Sequence, residues 1–441
     1  MVYLDLLNIS LGESFRDAEE RFAAANPRSA KRFAEALEVM PGGNTRTVLH
    51  YTPFPLTITK GFGARLWDLD EHEYVDLLGE YTAGLFGHSH PVILAAVREA
   101  IDRGVSFGGP NENEARLAEI ICQRFPSIDL VRFCNSGTEA NLMAVAAARA
   151  TTGRSAILAF NGAYHGGMLG FANGGGPLNA PYPTVLAEYN DGEGTLDLID
   201  QNAKALAAIL IEPMMGGGGG IPADHSFLGA LRERATRHGI VLIFDEVMTS
   251  RISAGGLQAK LGVVPDMTTL GKYIGGGMSF GAFGGRREIM SRFDPRRADA
   301  WAHAGTFNNN VLTMAAGVAA MSSVYTPEAA EQLTARGDCL RDRLNTIGRQ
   351  RGLPVQVTGA GSILAMHFQT KPIRRPVDAK ETPAEVRGLF HLEMLRSGYY
   401  LARRGFISLS LPLVTADYDG FAASFEGFLD EHRTLLSREL H

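Results

Sequence analysis

The sequence predicts an α/β fold in which a mainly parallel central sheet is flanked by helices. From residue 128 onward, apolar strand-like runs alternate with helical runs, as expected when helices connect parallel strands. Polar residues follow directly after several of these strands, where ligands bind in such folds. A length of 441 residues favours two domains over one. We therefore expect a large ligand-binding domain and a smaller companion.

Composition argues against several classes of function. Hydrophobic residues make up 45% of the chain and charged residues 20%, so a large core can form. The net charge of −6 disfavours a nucleic-acid partner. The three cysteines have no metal or redox spacing, so we expect reduced thiols and a cytoplasmic protein without a bound metal. No apolar run reaches 18 residues, and residues 1–11 lack a basic start, so neither a membrane span nor a signal peptide is expected.

Residues 1–78 predict a helical segment followed by short strands. Residues 14–40 have helical periodicity, and residues 40–46 form a predicted turn that ends in Arg46. At this point either a surface ion pair or a ligand contact would explain Arg46. We expect residues 1–78 to join residues 327–441 in a smaller α+β domain, with residues 79–326 forming the large domain.

A glycine-punctuated loop at residues 81–91 precedes a predicted helix over residues 91–103. The loop begins with Tyr81 and contains Phe86, His88 and His90. The two histidines are two positions apart, and no third metal ligand lies nearby in the sequence. A loop or capping role is therefore favoured over a metal site.

A phosphate-binding turn is predicted after the strand at residues 130–134. Ser136, Gly137 and Thr138 follow this strand and open an alanine-rich helix that ends before Gly153. Free backbone N–H groups, two hydroxyls and the positive end of the helix dipole would all face an anion there. An ordinary Ser/Thr helix cap is the simpler alternative.

Several other predicted strands are also followed directly by a polar or aromatic residue. Because the carboxyl ends of parallel strands meet at one edge of a sheet, we expect these side chains to converge. They are Ser136, Tyr164, Glu212, Asp245 and Lys272. Five consecutive glycines, residues 216–220, predict a loop that approaches a ligand closely, or a low-complexity linker.

Lys272 stands in an unusual setting for a lysine. It follows an apolar run, is surrounded by glycines and has no charged neighbour between Met267 and Gly285. Burial of such an amine lowers its pKa, and a neutral amine is the nucleophile that imine formation requires. A lysine that ends a buried strand and extends its amine to the surface is the alternative.

Together these residues match the requirements of pyridoxal 5'-phosphate (PLP). Lys272 would react with the cofactor's aldehyde, and Asp245 would keep the pyridine nitrogen protonated so that the ring withdraws electrons. The turn at residues 136–138 would hold the phosphate. Tyr164 offers a flat ring for stacking. Each residue has a more ordinary explanation taken alone, and their shared position at strand ends favours the cofactor.

The chain also resembles the class III, fold type I PLP aminotransferases over nearly its whole length. The resemblance rests on motifs in matching order at residues 135–141, 164–166, 245–247, 271–272 and 305–306. Residues 44–46, 80–84, 245–251 and 272–285 are closest to β-phenylalanine aminotransferases. Residues 40–43 and the glycines after Ile274 also resemble glutamate-1-semialdehyde aminomutase. That family has Gly-Asn-Pro where this chain has Asn308-Asn309-Asn310-Val311.

The resemblance implies a homodimeric enzyme that transfers an amino group from an aromatic β-amino acid to 2-oxoglutarate or pyruvate. An aminomutase or racemase on the same scaffold remains the alternative. Lys272 and Asp245 are implied as catalytic residues, and the implied PLP contacts are Ser136, Gly137, Thr138, Tyr164, His165, Glu212, Asp245, Val247, Lys272 and, from the neighbouring subunit, Thr306. Implied substrate contacts are Arg46, Tyr81, Phe86, Met215 and Arg404, with Arg403 as the alternative to Arg404.

Overall fold

The structure is a computed structural model that describes residues 10–440, and its central element is a seven-stranded sheet. In spatial order the strands are Leu130–Cys134, Gly281–Gly285, Met267–Gly271, Val241–Asp245, Leu206–Ile211, Ala156–Phe160 and Thr184–Ala187. Only Gly281–Gly285 runs antiparallel to its neighbours. The mainly parallel α/β sheet predicted from the sequence is therefore confirmed.

The central strands are buried on both faces, which explains their continuous apolar sequences. Every residue of Ala156–Phe160, Leu206–Ile211 and Val241–Asp245 is buried. The alanine-rich helix Gly137–Thr152 crosses one face and contacts five of the strands. Its buried positions include Ala140, Ala144, Ala147 and Ala148, and their small side chains let the helix approach the sheet closely.

Three smaller sheets complete the β-structure of the described residues. The first contains Ile58–Phe62, Arg65–Asp68, Glu73–Asp76 and Tyr399–Tyr400, so segments near both ends of the chain share one sheet. The second contains Val355–Ala360, Ile363–Phe368 and Phe406–Ser408, and the third pairs Met214–Met215 with Ile221–Pro222. The domain boundaries at residues 78 and 326 stay a prediction.

The remaining α-helices surround these sheets. They are Leu11–Ala25, Pro27–Leu37, Pro91–Arg103, Glu112–Arg124, Gly192–Asn202, His225–His238, Gly256–Leu261, Arg287–Met290, Val311–Ala319, Pro327–Gln350, Ala384–Arg396, Thr415–Glu431 and Arg433–Glu439. None of the helices within residues 10–440 is long and apolar enough to cross a membrane. The expectation about a signal peptide concerns residues 1–11, of which residues 1–9 lie outside the described part.

The single helical pattern predicted at residues 14–40 is two helices in the structure. They are Leu11–Ala25 and Pro27–Leu37, and Asn26 separates them with non-helical backbone angles. Pro27 has no N–H to continue the hydrogen-bond ladder of the first helix, but it is well suited to the first turn of the second. The side-chain amide of Asn26 donates a hydrogen bond to the Phe22 carbonyl at 2.8 Å.

Candidate active site

Asp245 is the centre of a buried polar network at the carboxyl edge of the sheet. Its carboxylate accepts hydrogen bonds from His165 Nδ1 at 2.8 Å, Asn141 Nδ2 at 2.8 Å and the Val247 N–H at 3.0 Å. Asn141 is held in turn by Thr269, whose hydroxyl donates to its side-chain oxygen at 2.8 Å. Asp245 is 5% exposed, so these donors fix an almost fully enclosed carboxylate in one orientation.

The start of the helix Gly137–Thr152 has free backbone N–H groups that are suited to binding an anion. Ser136 caps this helix by accepting from the Glu139 N–H at 3.2 Å, so the ordinary cap predicted as the alternative is present. The N–H groups of Gly137 and Thr138 occupy the first two helical positions, where no intrahelical acceptor exists. A Cβ atom on Gly137 would lie 2.9 Å from both methyl groups of Val247, so only glycine fits between the start of this helix and Val247.

Lys272 directly follows the strand Met267–Gly271 and has a left-handed backbone with φ of 53°. Its amine makes no hydrogen bond or ion pair with any residue in the described range 10–440. Burial lowers the pKa of this amine, and the nearby Asp245 and Glu212 carboxylates raise it in part. The setting therefore favours the neutral, nucleophilic amine expected from the sequence.

Glu212 accepts hydrogen bonds from two backbone segments, one of which contains Tyr164. One carboxylate oxygen accepts from the Tyr164 N–H at 3.0 Å and the other from the Gly216 N–H at 2.9 Å. Burial raises the pKa of Glu212, and the nearby Asp245 carboxylate raises it further. The Tyr164 side chain is 58% exposed, so its ring presents a free face at the sheet edge, while Glu212 itself is buried behind it.

The guanidinium groups of two arginines lie near the ring of Tyr81. The guanidinium carbon of Arg46 lies 5.3 Å from the ring centroid, and that of Arg404 lies 5.4 Å from it. Arg46 also forms an ion pair with Glu80, which is half exposed. Arg404 makes no ion pair with a residue of the described range. The ring of Tyr81 stacks on Phe406 with a centroid distance of 5.8 Å.

The structure separates the neighbouring arginines at 403 and 404. Arg403 lies over the ring of Phe15, 5.9 Å from its centroid, whereas Arg404 lies beside Tyr81 and Phe406. Of this pair, therefore, Arg404 faces the candidate site.

Three other residues that were expected to contact substrate or cofactor differ in how deeply they are buried. Phe86 is 4% exposed and its ring packs 6.3 Å from that of Tyr273, in the main core. Met215 is fully buried, so the structure does not bring it to the open face. Thr306 is exposed on a turn before the helix Val311–Ala319. The roles of these residues toward substrate and cofactor stay predictions.

Sequence reasoning missed the supporting role of Asn141 and Thr269. Asn141 lies within the motif at residues 135–141 and is a polar residue on an otherwise apolar helix face, so its burial could have been inferred from that pattern. Thr269 carried no comparable signal, because threonine is common in buried strands. Their partnership with Asp245 depends on the crossing of a helix over two strands.

A family model described as "Aminotransferase class-III" matches residues 48–417 of the chain. The chain belongs to the class-III aminotransferases. PLP is accordingly its cofactor, and one solved transaminase similar to this chain contains PLP: the two are 33% identical, with a TM-score of 0.86, over 94% of this chain and 99% of that one.

Two further comparisons place the chain within this family. It is 48% identical to the β-phenylalanine transaminase of Variovorax paradoxus over 98% of this chain and 100% of that one. The crystal structure from that organism matches with a TM-score of 0.96, covering 97% and 99% of the chains. A glutamate-1-semialdehyde aminomutase of Pseudomonas aeruginosa matches with a TM-score of 0.88 at 25% identity, covering 96% and 98%. The fold type I architecture and both resemblances noted in the sequence are thus confirmed.

The side chains of this class-III aminotransferase fit the cofactor. The Lys272 amine without a partner, the N–H groups of residues 137 and 138, and the enclosed Asp245 carboxylate are the groups that an aldehyde, a phosphate and a protonated pyridine nitrogen require.

Proposed function

We propose that this aminotransferase moves the amino group of an aromatic β-amino acid to a 2-oxo acid such as 2-oxoglutarate or pyruvate. The observation that carries the proposal is the pair of guanidinium groups, Arg46 and Arg404, which lie 5.3 and 5.4 Å from the Tyr81 ring centroid. Two cations beside one ring suit substrates that carry one or two carboxylates. The β-phenylalanine specificity named for the Variovorax paradoxus relative supports the aromatic β-amino acid as donor.

PLP, when bound, supplies the aldehyde that receives the amino group and a ring that withdraws electrons. Asp245 holds the proton on the pyridine nitrogen, and His165 and Asn141 keep its carboxylate in place. The Lys272 amine removes the proton from the substrate carbon that bears the amino group, which its lowered pKa favours. Tyr164 and Val247 would contact the two faces of the ring.

Arg46 and Arg404 would each bind a different carboxylate. Arg46 already pairs with Glu80 at a half-exposed position, so a substrate carboxylate can replace Glu80 without leaving a buried charge unpaired. Arg404 has no carboxylate partner in the described range and is available for the second carboxylate of a dicarboxylic acceptor. The stacked rings of Tyr81 and Phe406 offer an apolar surface to an aromatic donor.

We also propose a homodimer in which Thr306 binds the phosphate of the neighbouring subunit. Phe107 and Phe307 are 53% and 62% exposed. Their loops are joined by a hydrogen bond from Asn309 Nδ2 to the Gly109 carbonyl at 3.2 Å. Two exposed phenylalanines on adjoining loops are typical of a surface that another subunit covers.

The test is a substrate panel with the purified, PLP-loaded enzyme. Aromatic and aliphatic β-amino acids and α-amino acids are each paired with 2-oxoglutarate and with pyruvate, and both products are measured. We expect the highest kcat/KM for an aromatic β-amino acid, and no turnover without the oxo acid. Product formation without an added oxo acid would instead indicate an aminomutase or a racemase, and a preference for α-amino acids would contradict the proposed donor.

A further inference from the structure

Residues 79–82 form a left-handed turn beside the two arginines of the site. The φ angles are 51° for Gly79, 46° for Glu80, 52° for Tyr81 and 83° for Thr82. Side chains other than glycine rarely adopt this conformation, and here three follow one another. Such a run persists only where its surroundings hold it. The turn carries both Glu80, which pairs with Arg46, and Tyr81, whose ring lies near both guanidinium groups.

Hydrogen bonds hold the turn at both ends. At its start, Asp76 Oδ1 accepts from the N–H groups of Leu78 and Gly79, each at 2.9 Å. The Gly84 N–H donates to the Gly79 carbonyl at 2.8 Å and closes the loop. At its end, Arg251 Nη1 donates to the Thr82 carbonyl at 3.2 Å. Arg251 is thus the one side chain among these partners that comes from a distant segment.

Arg251 is a fully buried cation without a carboxylate partner in the described residues. Its other donors bind Ser362 Oγ at 3.0 Å, Ser408 Oγ at 3.0 Å and the Leu409 carbonyl. Burial lowers the pKa of its guanidinium to about 10. Keeping an unneutralised charge inside the protein is costly, and an apolar side chain could fill the same volume. The planar fork of five donors is what arginine adds, because it can bind several segments at once.

Two of the segments that Arg251 joins lie beside Arg46 and Arg404. One is the turn at residues 79–82. The other is the strand Phe406–Ser408, which begins two residues after Arg404 and contains the ring on which Tyr81 stacks. We propose that Arg251 is a positioning residue: by bonding to both segments it sets the distance between the Arg46 and Arg404 sides of the site. This inference rests on the proposed role of those arginines in carboxylate binding.

The variants are Arg251→Met, which keeps an unbranched apolar stem but removes all donors, and Arg251→Lys, which keeps the charge without the fork. Arg154→Met is the matched control. Arg154 also donates to backbone carbonyls, those of Leu206, His238 and Gly239, and it also has no ion pair in the described range. It lies at the opposite end of the sheet from the site.

Two independent measurements test the effect of these substitutions on the turn and on substrate use. Amide hydrogen exchange over residues 78–86 reports on the turn without any need for activity. Steady-state kinetics compare β-phenylalanine with 1-phenylethylamine, which has the same ring and no carboxylate. For Arg251→Met we expect at least tenfold faster exchange in this segment and at least a tenfold higher KM for β-phenylalanine, with less than a threefold change for the amine. Arg251→Lys should lie between, and Arg154→Met should match the wild type.

Two outcomes would overturn the proposal. One is wild-type exchange at residues 78–86 in a folded Arg251→Met or Arg251→Lys enzyme, which would show that the turn holds itself. The other is an equal rise in KM for both substrates, which would make Arg251 a general structural residue. If Arg251→Met does not fold, Arg251→Lys decides by the same criteria. If the wild type does not use β-phenylalanine, the proposed function fails, while hydrogen exchange still decides whether Arg251 holds the turn.

Discussion

The reactivity of Lys272 follows from what the side chain lacks. Its amine has no partner among residues 10–440, and burial lowers its pKa. Asp245 has the opposite environment, with three donors that keep its carboxylate in one place. The two residues are 27 positions apart in the sequence; Asp245 ends the strand Val241–Asp245, and Lys272 directly follows the neighbouring parallel strand Met267–Gly271. We propose that Lys272 acts as a nucleophile and base and Asp245 as a fixed charge.

Replacing Lys272 tests this assignment. Lys272→Ala should lower transamination by more than about a thousandfold, because the proposed base for proton transfer is lost. Borohydride treatment should then no longer attach PLP covalently to the chain, as judged by the intact mass. The exposed Lys204→Ala variant serves as the control and should keep both properties. Covalent attachment of PLP at another lysine in the wild type would refute the assignment.

Adjacent arginines allow a sharp test of the second carboxylate site. Arg404→Ala should lower kcat/KM for 2-oxoglutarate roughly ten- to a hundredfold, the loss expected for a charged hydrogen bond. Pyruvate, which has one carboxylate, should be affected less than about threefold. Arg403→Ala removes a neighbouring guanidinium that lies over Phe15, so it should change neither value. Equal losses with both acceptors would mean that Arg404 has a structural role.

At the scale of elements, the start of the helix Gly137–Thr152 is a closely packed part of the candidate site. Gly137→Ala would place a methyl group 2.9 Å from the Val247 side chain, an overpacking that costs about 1–3 kcal/mol. PLP titration of the apoenzyme should show a correspondingly weaker Kd. Gly229→Ala, within the helix His225–His238, meets nothing within 4 Å and should stabilise the protein by about 0.5–1 kcal/mol.

Thermal unfolding provides the matching measurement for this pair. Only Gly137→Ala should weaken the binding of PLP, whereas Gly229→Ala should raise the Tm and leave the Kd as it is. An unchanged PLP affinity in Gly137→Ala would mean that the phosphate does not bind at this helix start.

The helix Ala384–Arg396 carries a buried histidine that makes stability depend on pH. Burial, together with a smaller effect of the nearby Arg403 charge, lowers the pKa of His391 to about 3. Its ring packs edge-on against Tyr51 at 4.6 Å. Between about pH 3 and 6.5 the unfolded chain binds a proton that the folded chain does not. His391 therefore leaves stability intact above pH 6.5 and reduces it as the pH falls.

We expect His391→Leu to flatten this dependence. The free energy of unfolding from urea titrations should lose about 1.4 kcal/mol less per pH unit than in the wild type between pH 6 and 4. The two proteins should show parallel pH dependence above pH 7. Parallel curves over the whole range would contradict the assignment of this titration to His391.

At the scale of the whole molecule, the proposed dimer predicts complementation between inactive chains. Lys272→Ala chains are combined with chains disrupted at Thr306, given that the Thr306 change alone abolishes activity. If each site uses Lys272 of one subunit and Thr306 of the other, a purified heterodimer has one intact site and about half of the wild-type activity. Heterodimers without activity, despite proven subunit exchange, would exclude shared sites.

The sequence alone determined the α/β fold, the cofactor and the residues at the strand ends. Apolar runs identify buried strands, and in a parallel sheet the residues after them must meet at one edge. Ser136, Tyr164, Glu212, Asp245 and Lys272 could therefore be grouped before any coordinates were known. The break at Pro27 was missed because helical periodicity continues across it, although proline itself was visible in the sequence.

Only the tertiary structure decided which polar groups are partners. The left-handed turn at residues 79–82, its bond to Arg251 and the different surroundings of Arg403 and Arg404 all depend on contacts between segments far apart in the chain. Hydrophobic periodicity reports which face of an element is buried, because burial of apolar surface needs no particular partner. Hydrogen bonds and ion pairs require specific atoms at specific distances, and those are set when the elements pack together.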